Sequence, residues 1–403
     1  MRICYVAADV AVPYYRGSST HVYELARNLA KLGHQVHVVA RRVTSSQPKL
    51  EVLDGIVVHR YQRGMFFSST RSSFAQTDAK GSYRGGTPLL VWKSYEAYLM
   101  TVFPAYVGVE VARLVKESSI DIIFERESSF GAGVVASYMT SRPLFLEVIG
   151  DRYTGAQLKR ARKVFAYSSS SVAERLERER LEVTSAAVNP DRFRPDPKAG
   201  KEVRKRYAIG DVPVVGYVGS FHEWHGVGEI IDASSLILRH NPLVKILMVG
   251  PYYQGVLEAV TKRGMAGSFI FPGAVRYELV PDFMSACDVL VAPYNPSKFS
   301  PTGSARKRTL GSPLKLFEYM SVEKPLVSTK VEPVMSVIQD RVTGLLVPAG
   351  DSHALAEAIL ELLEDKNLAR RLAKNAKAEV VEKYSWNAVA ARTVLVMEEA
   401  MAG

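Results

Sequence analysis

The first forty residues combine two apolar runs with a helical pattern of apolar positions. Residues 3–7 form an apolar run typical of a buried strand, and residues 36–40 form a second such run. Between them, after a loop that contains Gly17 and Ser18, apolar residues recur at helical spacing over residues 20–32. The pattern predicts a strand, a helix and a parallel strand, which together form a βαβ unit.

The same succession of elements starts again at residue 213. Strands are predicted over residues 214–218 and 245–249, with a helix over residues 227–239 between them. Proline and glycine interrupt the periodic pattern between residues 190 and 210, which is typical of a domain boundary. The sequence therefore predicts an α/β protein with two Rossmann-like, doubly wound parallel-sheet domains.

The length of the chain agrees with two domains, because 403 residues exceed what one hydrophobic core usually supports. The first domain is predicted to cover residues 1–195 and the second residues 205–384. Residues 385–403 are predicted to form a final helix that packs back on the first domain. Each domain is long enough to bury a core of its own.

The composition is that of a soluble globular enzyme, with 47% hydrophobic and 23% charged residues. The sequence contains no apolar run of about 18 residues, and the N-terminal apolar run is too short for a signal peptide, so we expect a cytoplasmic protein. Cys4 and Cys287 have no Cys or His neighbours at metal-binding spacing. We interpret both as small core residues and expect neither a disulfide nor a zinc site.

Positive charge is concentrated in the first half of the chain. The net charge is +11, and residues 1–190 contain 25 Lys and Arg against 17 Asp and Glu, a net charge of +8. This half predicts peripheral contact with an anionic membrane surface or an acidic substrate, whereas a contribution to solubility alone is the alternative. Nucleic acid is not an expected partner, because no recognition motif accompanies the charge.

Residues 311–327 combine a helix start, a lysine, a carboxylate and a following strand. Ser312 suits the N-cap and Pro313 the first helical position, so a helix is predicted to begin there with backbone N–H groups that attract anions. Lys315 and Glu318 lie three residues apart and therefore share one helix face. This arrangement predicts a clamp for a phosphate and a sugar; an amphipathic surface helix with a modest ion pair is the alternative. Its apolar face is predicted to contain Leu316, Phe317 and Met320.

Each predicted strand-to-helix turn carries a glycine, Gly17 in the first domain and Gly219 in the second. Glycine permits close approach of the backbone to a phosphate, although a glycine after a strand is also the ordinary sign of a turn. Neither turn has the Gly-x-Gly-x-x-Gly pattern, and no Walker loop occurs, so dinucleotide-binding and kinase functions lose their usual support. Residues 62–115 begin with an aperiodic stretch and end in an aromatic-rich helical pattern, where we expect acceptor recognition; a core helix with a surface loop is the alternative.

Several ordered blocks of this sequence resemble one family, the retaining, nucleotide-sugar-dependent glycosyltransferases of GT-B fold whose signature is two glutamates separated by seven residues. The resemblance extends over nearly the whole chain. It is carried by residues 17–38, 193–195, 216–220 with 224–227, 272–275, 311–327 and 344–348. Within the family, residues 125–128 and the segment from Pro313 to Met320 resemble a branch associated with surface polysaccharide and other glycoconjugate assembly.

The resemblance implies two domains facing across a cleft and transfer of a sugar, with retention, from a nucleoside diphosphate to a glycan, lipid-linked or other glycoconjugate acceptor. The nucleotide sugar is then a co-substrate, and no cofactor is implied. The implied catalytic residues are Lys315, Glu318 and Arg126. The implied donor-binding residues are Gly17, Ser18, Gly219, Ser220, His225, Val275, Ser312, Pro313, Leu314, Lys315 and Glu318.

The sequence departs from the family pattern at several positions. Glu318 matches the second glutamate, which binds the donor ribose hydroxyls, but Leu310 stands where the first glutamate is expected. Ser220 and His225 replace an arginine and a lysine that neutralise the diphosphate, so Lys315 is expected to supply more of that charge, with help from His225 when it is protonated.

Arg126 stands where many relatives have a histidine beside the donor sugar, and an ion pair with Glu125 or Glu127 is the structural alternative. The sequence contains no Asp-x-Asp, which agrees with metal-independent chemistry and predicts no metal site. Two other functions remain open at this point. A nucleotide-sugar epimerase would use the same diphosphate clamp, and a non-catalytic partner subunit would explain the missing functional groups.

Overall fold

The computed structural model describes two compact units. One comprises the described residues up to Ala186 together with the C-terminal helix from Trp386, and the other comprises the described residues between Ala187 and Ser385. The described residues are 1–13, 17–61, 98, 101–150, 153–167, 170–173, 175–251, 254–298 and 313–402.

The first unit is built on a twisted sheet in which the strands run parallel apart from one edge strand. Its strands are β1 (Arg2–Ala11), β2 (Gln35–Arg41), β3 (Leu50–Leu53), β4 (Ile56–Tyr61), β5 (Ile122–Arg126), β6 (Leu144–Val148), β7 (Lys163–Tyr167) and β8 (Leu181–Thr184). Their order is β3-β4-β2-β1-β5-β6-β7-β8, and β3 pairs antiparallel with β4. The central strands β5 and β6 are buried along their whole length because helices cover both faces.

Among the described residues, this unit has helices α1 (Gly17–Lys31), α2 (Val102–Glu117), α3 (Ala132–Thr140), α4 (Gly155–Arg160) and the C-terminal α12 (Trp386–Ala402). α2 and α3 pack closely, because a Cβ atom at Gly108 would lie 2.5 Å from Cβ of Val135. Helix α12 packs on α1, and the rings of Trp386 and His21 lie perpendicular to each other with their centroids 4.9 Å apart. The end of the chain thus completes the helical layer of the first unit.

The second unit contains a parallel sheet. Its strands are β9 (Val214–Val218), β10 (Lys245–Val249), β11 (Phe269–Gly273), β12 (Val289–Ala292), β13 (Leu326–Thr329) and β14 (Leu345–Val347), in the order β11-β10-β9-β12-β13-β14. The first connections build the sheet from β9 toward β11, and the chain then returns to place β12 on the other side of β9. The topological switch point therefore lies between β9 and β12.

Helices surround this second sheet and close a large apolar core. They are α5 (Pro197–Arg206), α6 (Val227–His240), α7 (Gln254–Lys262), α8 (Val280–Ser285), α9 (Leu314–Ser321), α10 (Ser352–Glu364) and α11 (Lys366–Lys383). The core packs α6 and α10 against the strands, with Tyr217 and Val227 among its fully buried members. Leu316, Phe317 and Met320 are buried as predicted.

The fold class predicted from the sequence is confirmed, with two parallel-sheet α/β units. Two local predictions were wrong. Gly17 and Ser18 lie in the first turn of α1 rather than in a preceding loop, because helical geometry already begins at Gly17. Pro313 is the N-cap of α9 rather than its first helical residue, because its ψ of 62° lies outside the helical range. The acceptor region predicted within residues 62–115 lies largely outside the described residues.

Candidate functional site

The loops at the carboxyl ends of β9, β10 and β12 meet at the switch point of the second sheet. Ligands of open α/β sheets bind in the crevice at this position, because the loops on either side diverge there. A Cβ atom at Gly250, after β10, would lie 1.9 Å from the carbonyl oxygen of Gly219, after β9. A Cβ atom at Gly226, before α6, would lie 1.8 Å from the carbonyl oxygen of Pro293, after β12. These backbones can approach so closely only because both positions are glycine.

Lys315, in the first turn of α9, points its amine at this loop cluster. Its Nζ atom donates a hydrogen bond of 3.1 Å to Oη of Tyr217 and lies over the rings of Tyr217 and Tyr294, 4.6 Å and 5.1 Å from their centroids. A Cβ atom at Gly219 would stand 2.9 Å from Nζ, so glycine leaves the room that the amine occupies. Burial lowers the pKa of Lys315 to about 7, although the Glu318 carboxylate opposes the shift.

Glu318 is held by a different tyrosine. The Tyr277 hydroxyl donates a hydrogen bond of 3.0 Å to Oε1 of Glu318. Burial raises the pKa of Glu318 to about 7, while the Tyr277 hydrogen bond and the charges of Lys315 and Arg192 oppose the rise. The structure thus gives Lys315 and Glu318 separate tyrosine partners in place of the surface ion pair that the alternative interpretation predicts.

Ser220 and His225 form the rim of the same cluster. The Ser220 carbonyl accepts hydrogen bonds from the Tyr217 hydroxyl at 2.6 Å and from Nδ1 of His225 at 2.8 Å. Burial and the Lys315 charge lower the pKa of His225 to about 3, so its imidazole is neutral near pH 7. The help expected from His225 when it is protonated stays a prediction. With Nδ1 donating, Nε2 is the ring atom that can accept a hydrogen bond from a ligand.

The other residues predicted to bind the donor are distributed unevenly. Val275 and Leu314 are half-buried in the second unit, and Pro313, which precedes Leu314, is buried. Gly17 and Ser18 are exposed in the first unit. Because Pro313 is the N-cap of α9, the prediction that Ser312 caps this helix was wrong. Ser312 itself lies outside the described residues, so its predicted contact with the donor stays a prediction.

A second group of charged side chains, which we call the Glu147 network, lies at the centre of the first unit. It consists of Tyr5 on β1, His21 on α1, Arg126 on β5 and Glu147 on β6. The Glu147 carboxylate accepts hydrogen bonds from the Tyr5 hydroxyl at 2.6 Å and from Nε2 of His21 at 2.7 Å, and lies 3.4 Å from Nη1 of Arg126. Burial would raise the pKa of Glu147, but His21, Arg126 and Tyr5 together lower it to about 2.

Arg126 is buried in this network, and the ion pair that the structure gives it is with Glu147 rather than with either of the two glutamates considered from the sequence. Glu125 instead faces the N-terminus of α3 and accepts a hydrogen bond from the Gly131 amide at 2.9 Å. Glu127 accepts one from the Gly150 amide at 2.8 Å. The catalytic role of Arg126 stays a prediction.

Comparison with known proteins assigns the family. Residues 15–85 match the family described as Glycosyltransferase Family 4, and residues 200–379 match Glycosyl transferases group 1. The solved structure of Anabaena HepE in complex with UDP covers 99% of this chain and 100% of that chain with a TM-score of 0.71 and 18% identity. The chain belongs to the group 1 glycosyltransferases of GT-B fold.

Two curated members of this family illustrate its range. The alpha-D-kanosaminyltransferase of Streptomyces kanamyceticus is 29% identical over 189 residues, which cover 46% of this chain and 46% of that protein. The GDP-mannose-dependent alpha-(1-6)-phosphatidylinositol monomannoside mannosyltransferase of Mycobacterium tuberculosis is 27% identical over 214 residues, which cover 53% of this chain and 54% of that protein. The match therefore spans about half the length of each of these relatives.

The candidate sites of the two units, each taken by itself, include residues that the sequence did not single out. Tyr217, Tyr277 and Tyr294 contact the two charged groups of α9, and Glu147 organises the network in the first unit. The apolar strand runs around Tyr217 and Tyr294 gave no sign of a ligand site, because a tyrosine in a buried strand is usually a core residue. Within the described part of the chain, no helix has the length and apolar character to cross a membrane, and no cluster of metal-ligating side chains occurs.

Proposed function

We propose that this protein transfers a sugar from a nucleoside-diphosphate donor to an acceptor with retention of anomeric configuration and without a metal ion. The observation that carries the proposal is the Lys315 amine, which stands beside Gly219 at the switch point of the second sheet. A lysine ammonium beside backbone loops at the end of a parallel sheet provides a positive charge for a diphosphate. The absence of Asp-x-Asp from the sequence supports the metal-independent form of the reaction.

Each charged group of α9 has a role in this proposal. Lys315 stabilises the negative charge that develops on the leaving diphosphate, and its protonated form is the active one. Glu318 accepts hydrogen bonds from hydroxyl groups of the donor, as the family resemblance implies. Neutral His225 contributes an acceptor at Nε2 rather than a positive charge. Arg126 is proposed to act beside the donor sugar on the resemblance alone.

Similarity to known proteins is the only guide to the nucleotide base, the sugar and the acceptor that this protein uses. HepE was solved with UDP, and the M. tuberculosis relative is named for GDP-mannose and a phosphatidylinositol mannoside. We therefore propose a carbohydrate or lipid-linked acceptor and test donors of both nucleotide classes first.

A thermal-shift panel of UDP, GDP and ADP sugars, followed by an acceptor-dependent assay, tests the proposal. A ligand that binds only the folded state raises the unfolding temperature, so the donor is expected to stand out from the panel. The expected result is release of the nucleoside diphosphate only when acceptor is present, with a product whose anomeric configuration, read by NMR, matches the donor. Interconversion of the donor without acceptor, or binding of no panel member, contradicts the proposal.

We also propose that the first unit associates with an anionic membrane surface from the cytoplasmic side. Arg175 and Arg178 are exposed, whereas Arg160 and Arg180 are tied to Ser137 and to backbone carbonyls of their own unit. Arg175 and Arg178 are therefore available to anionic head groups, and each contributes roughly 1 kcal/mol.

In a flotation assay with phosphatidylglycerol-containing vesicles, we expect binding at low salt that is lost at high salt. Replacing Arg175 and Arg178 by Glu should reduce the bound fraction several-fold. The matched control replaces the exposed Arg370 and Arg371 of the second unit by Glu, which changes the net charge equally. Equal loss in both double variants would show that net charge alone, and not this surface, is responsible.

A further inference from the structure

Tyr277 is in hydrogen-bond contact with the carboxyl group of Glu318. It begins a short 3₁₀ helix (Tyr277–Leu279) that follows β11, and its hydroxyl donates to Oε1 of Glu318 at 3.0 Å. Hydrogen bonds to an ionised acceptor are about twice as strong as those between neutral groups, so this contact favours the carboxylate over the carboxylic acid. Position 277 is outside the motif blocks recognised in the sequence, although it follows one of them closely.

The Tyr277 ring is itself fixed by the segment that leads into the second unit. The ring of Phe193 packs on it with centroids 5.5 Å apart, and the Arg192 guanidinium lies 5.3 Å from its centroid. Phe193 is fully buried, and its carbonyl accepts a hydrogen bond of 2.6 Å from the Ser321 hydroxyl at the end of α9. The same short segment therefore holds both the tyrosine and the helix that carries Glu318.

We propose that Tyr277, held by Arg192 and Phe193, is a positioning residue that keeps the Glu318 carboxyl ionised and oriented to accept hydrogen bonds from donor hydroxyl groups. The inference rests on the proposed donor site and adds a residue to it. Tyr277 acts through Glu318, and no contact of Tyr277 with the donor is required.

The charged and titratable groups around Glu318 determine whether its pKa rises or falls when the Tyr277 hydroxyl is removed. Lys315 on the same helix and Arg192 favour the ionised form, as does the Tyr277 hydrogen bond, whereas burial opposes it. Burial raises the pKa of Tyr294 and that of Tyr319, and the charge of Glu318 adds to both rises. Removing the Tyr277 hydroxyl should therefore raise the pKa of Glu318 above its present value of about 7.

The test compares Tyr277→Phe with wild type by calorimetric titration of UDP, GDP and ADP across a range of pH. Dividing the variant's affinity by that of wild type cancels the titration of the ligand, which both proteins share, and Lys315 enters the ratio only through its coupling to Glu318. A rise of about one pKa unit makes the variant roughly tenfold weaker well below pH 7 and nearly equal to wild type well above it. The 2′,3′-dideoxy form of the bound nucleotide, which lacks the ribose hydroxyls, should show no such difference.

Tyr207→Phe is the matched control, because it removes a hydroxyl from another tyrosine of the same unit that packs on Phe283. Arg192→Gln removes both the guanidinium that holds the Tyr277 ring and a charge that favours ionised Glu318, while the Tyr277 hydroxyl remains. It should therefore give a smaller loss of affinity of the same sign, and it serves if Tyr277→Phe does not fold. A loss of affinity that is the same at every pH, or unchanged affinity, would overturn the positioning role. Failure of the wild type to bind any of the three nucleotides would instead overturn the donor site itself.

Discussion

Two regions of the molecule place charged side chains beside tyrosines: the Glu147 network in the first unit, and Lys315 with Glu318 in the second. They differ in how far the surrounding side chains compensate the charge. Glu147 receives a tyrosine hydroxyl, an imidazole and a guanidinium. Lys315 and Glu318 each receive one neutral tyrosine hydroxyl instead. One carboxylate is therefore saturated by its own unit, whereas the two groups of α9 retain capacity for a ligand.

The pKa values express the same difference. That of Glu147 falls to about 2 because its cationic partners outweigh burial, whereas burial dominates at α9 and brings both Lys315 and Glu318 to about 7. A group whose charge is already compensated contributes mainly to stability, and one whose charge is destabilised by burial gains when a complementary ligand arrives. The comparison predicts that substitutions in the first region change folding and those in the second change binding.

The largest expected effect is that of Glu147→Ala on stability. Removing the carboxylate leaves Arg126, His21 and Tyr5 buried without their shared partner, and breaking a buried ion pair costs about 3–5 kcal/mol. Urea unfolding followed by tryptophan fluorescence measures this loss, because Trp386 packs against His21. Asp232→Ala is the control, since Asp232 forms an exposed pair with Arg263 and should lose no more than about 1 kcal/mol.

The stability that Glu147 contributes should also depend on pH. Because the pKa of Glu147 is lowered in the folded state, its stabilisation is present above its ordinary pKa of 4.5 and is lost as the pH falls toward about 2. The gap in stability between wild type and Glu147→Ala should narrow over that interval. A loss from Asp232→Ala as large as that from Glu147→Ala would erase the proposed distinction between the two regions.

The sequence predicted the residues of α9 better than their surroundings. Lys315 and Glu318 share a face because they lie three residues apart, and Leu316 and Phe317 are buried because of the same helical period. The tyrosine partners depend on tertiary structure, since Tyr217 is 98 residues from Lys315 and Tyr277 is 41 residues from Glu318. No local pattern encodes contacts at such separations.

The Glu147 network could not be predicted from the sequence for the same reason. Glu147 is separated from Tyr5 by 142 residues and from His21 by 126, and its own neighbours in sequence form an apolar strand. The order of the strands brings these positions together, because β1 lies beside β5 and β5 beside β6. The sequence therefore suggested local partners for Arg126, whereas the fold supplies one from the next strand.

The next largest effect concerns α9. Lys315→Ala and Glu318→Ala should each reduce donor turnover at least tenfold, roughly 1.4 kcal/mol of transition-state stabilisation, because each removes a group that interacts with the donor. Steady-state kinetics with the donor from the panel measures the change, and the urea midpoint should shift far less than in Glu147→Ala. Lys330→Ala, at an exposed pair with Asp340, is the matched lysine control. Wild-type kinetics in both α9 variants would refute the site.

The smallest expected effect is a pH dependence of nucleoside diphosphate affinity that originates at Lys315. Since its pKa is lowered to about 7, the amine loses its charge as the pH rises above that value, and affinity for the diphosphate should fall by several-fold over the next unit. Binding restores the charged form, so calorimetry in two buffers of different ionisation enthalpy should detect proton uptake at about pH 8. Lys315→Arg separates this effect from titration of the ligand and of Glu318, because a guanidinium stays charged throughout. If the arginine variant shows the same fall in affinity and the same proton uptake as wild type, Lys315 is not the titrating group. The contrast between the compensated charge of Glu147 and the uncompensated charges of α9 would then lose its electrostatic basis.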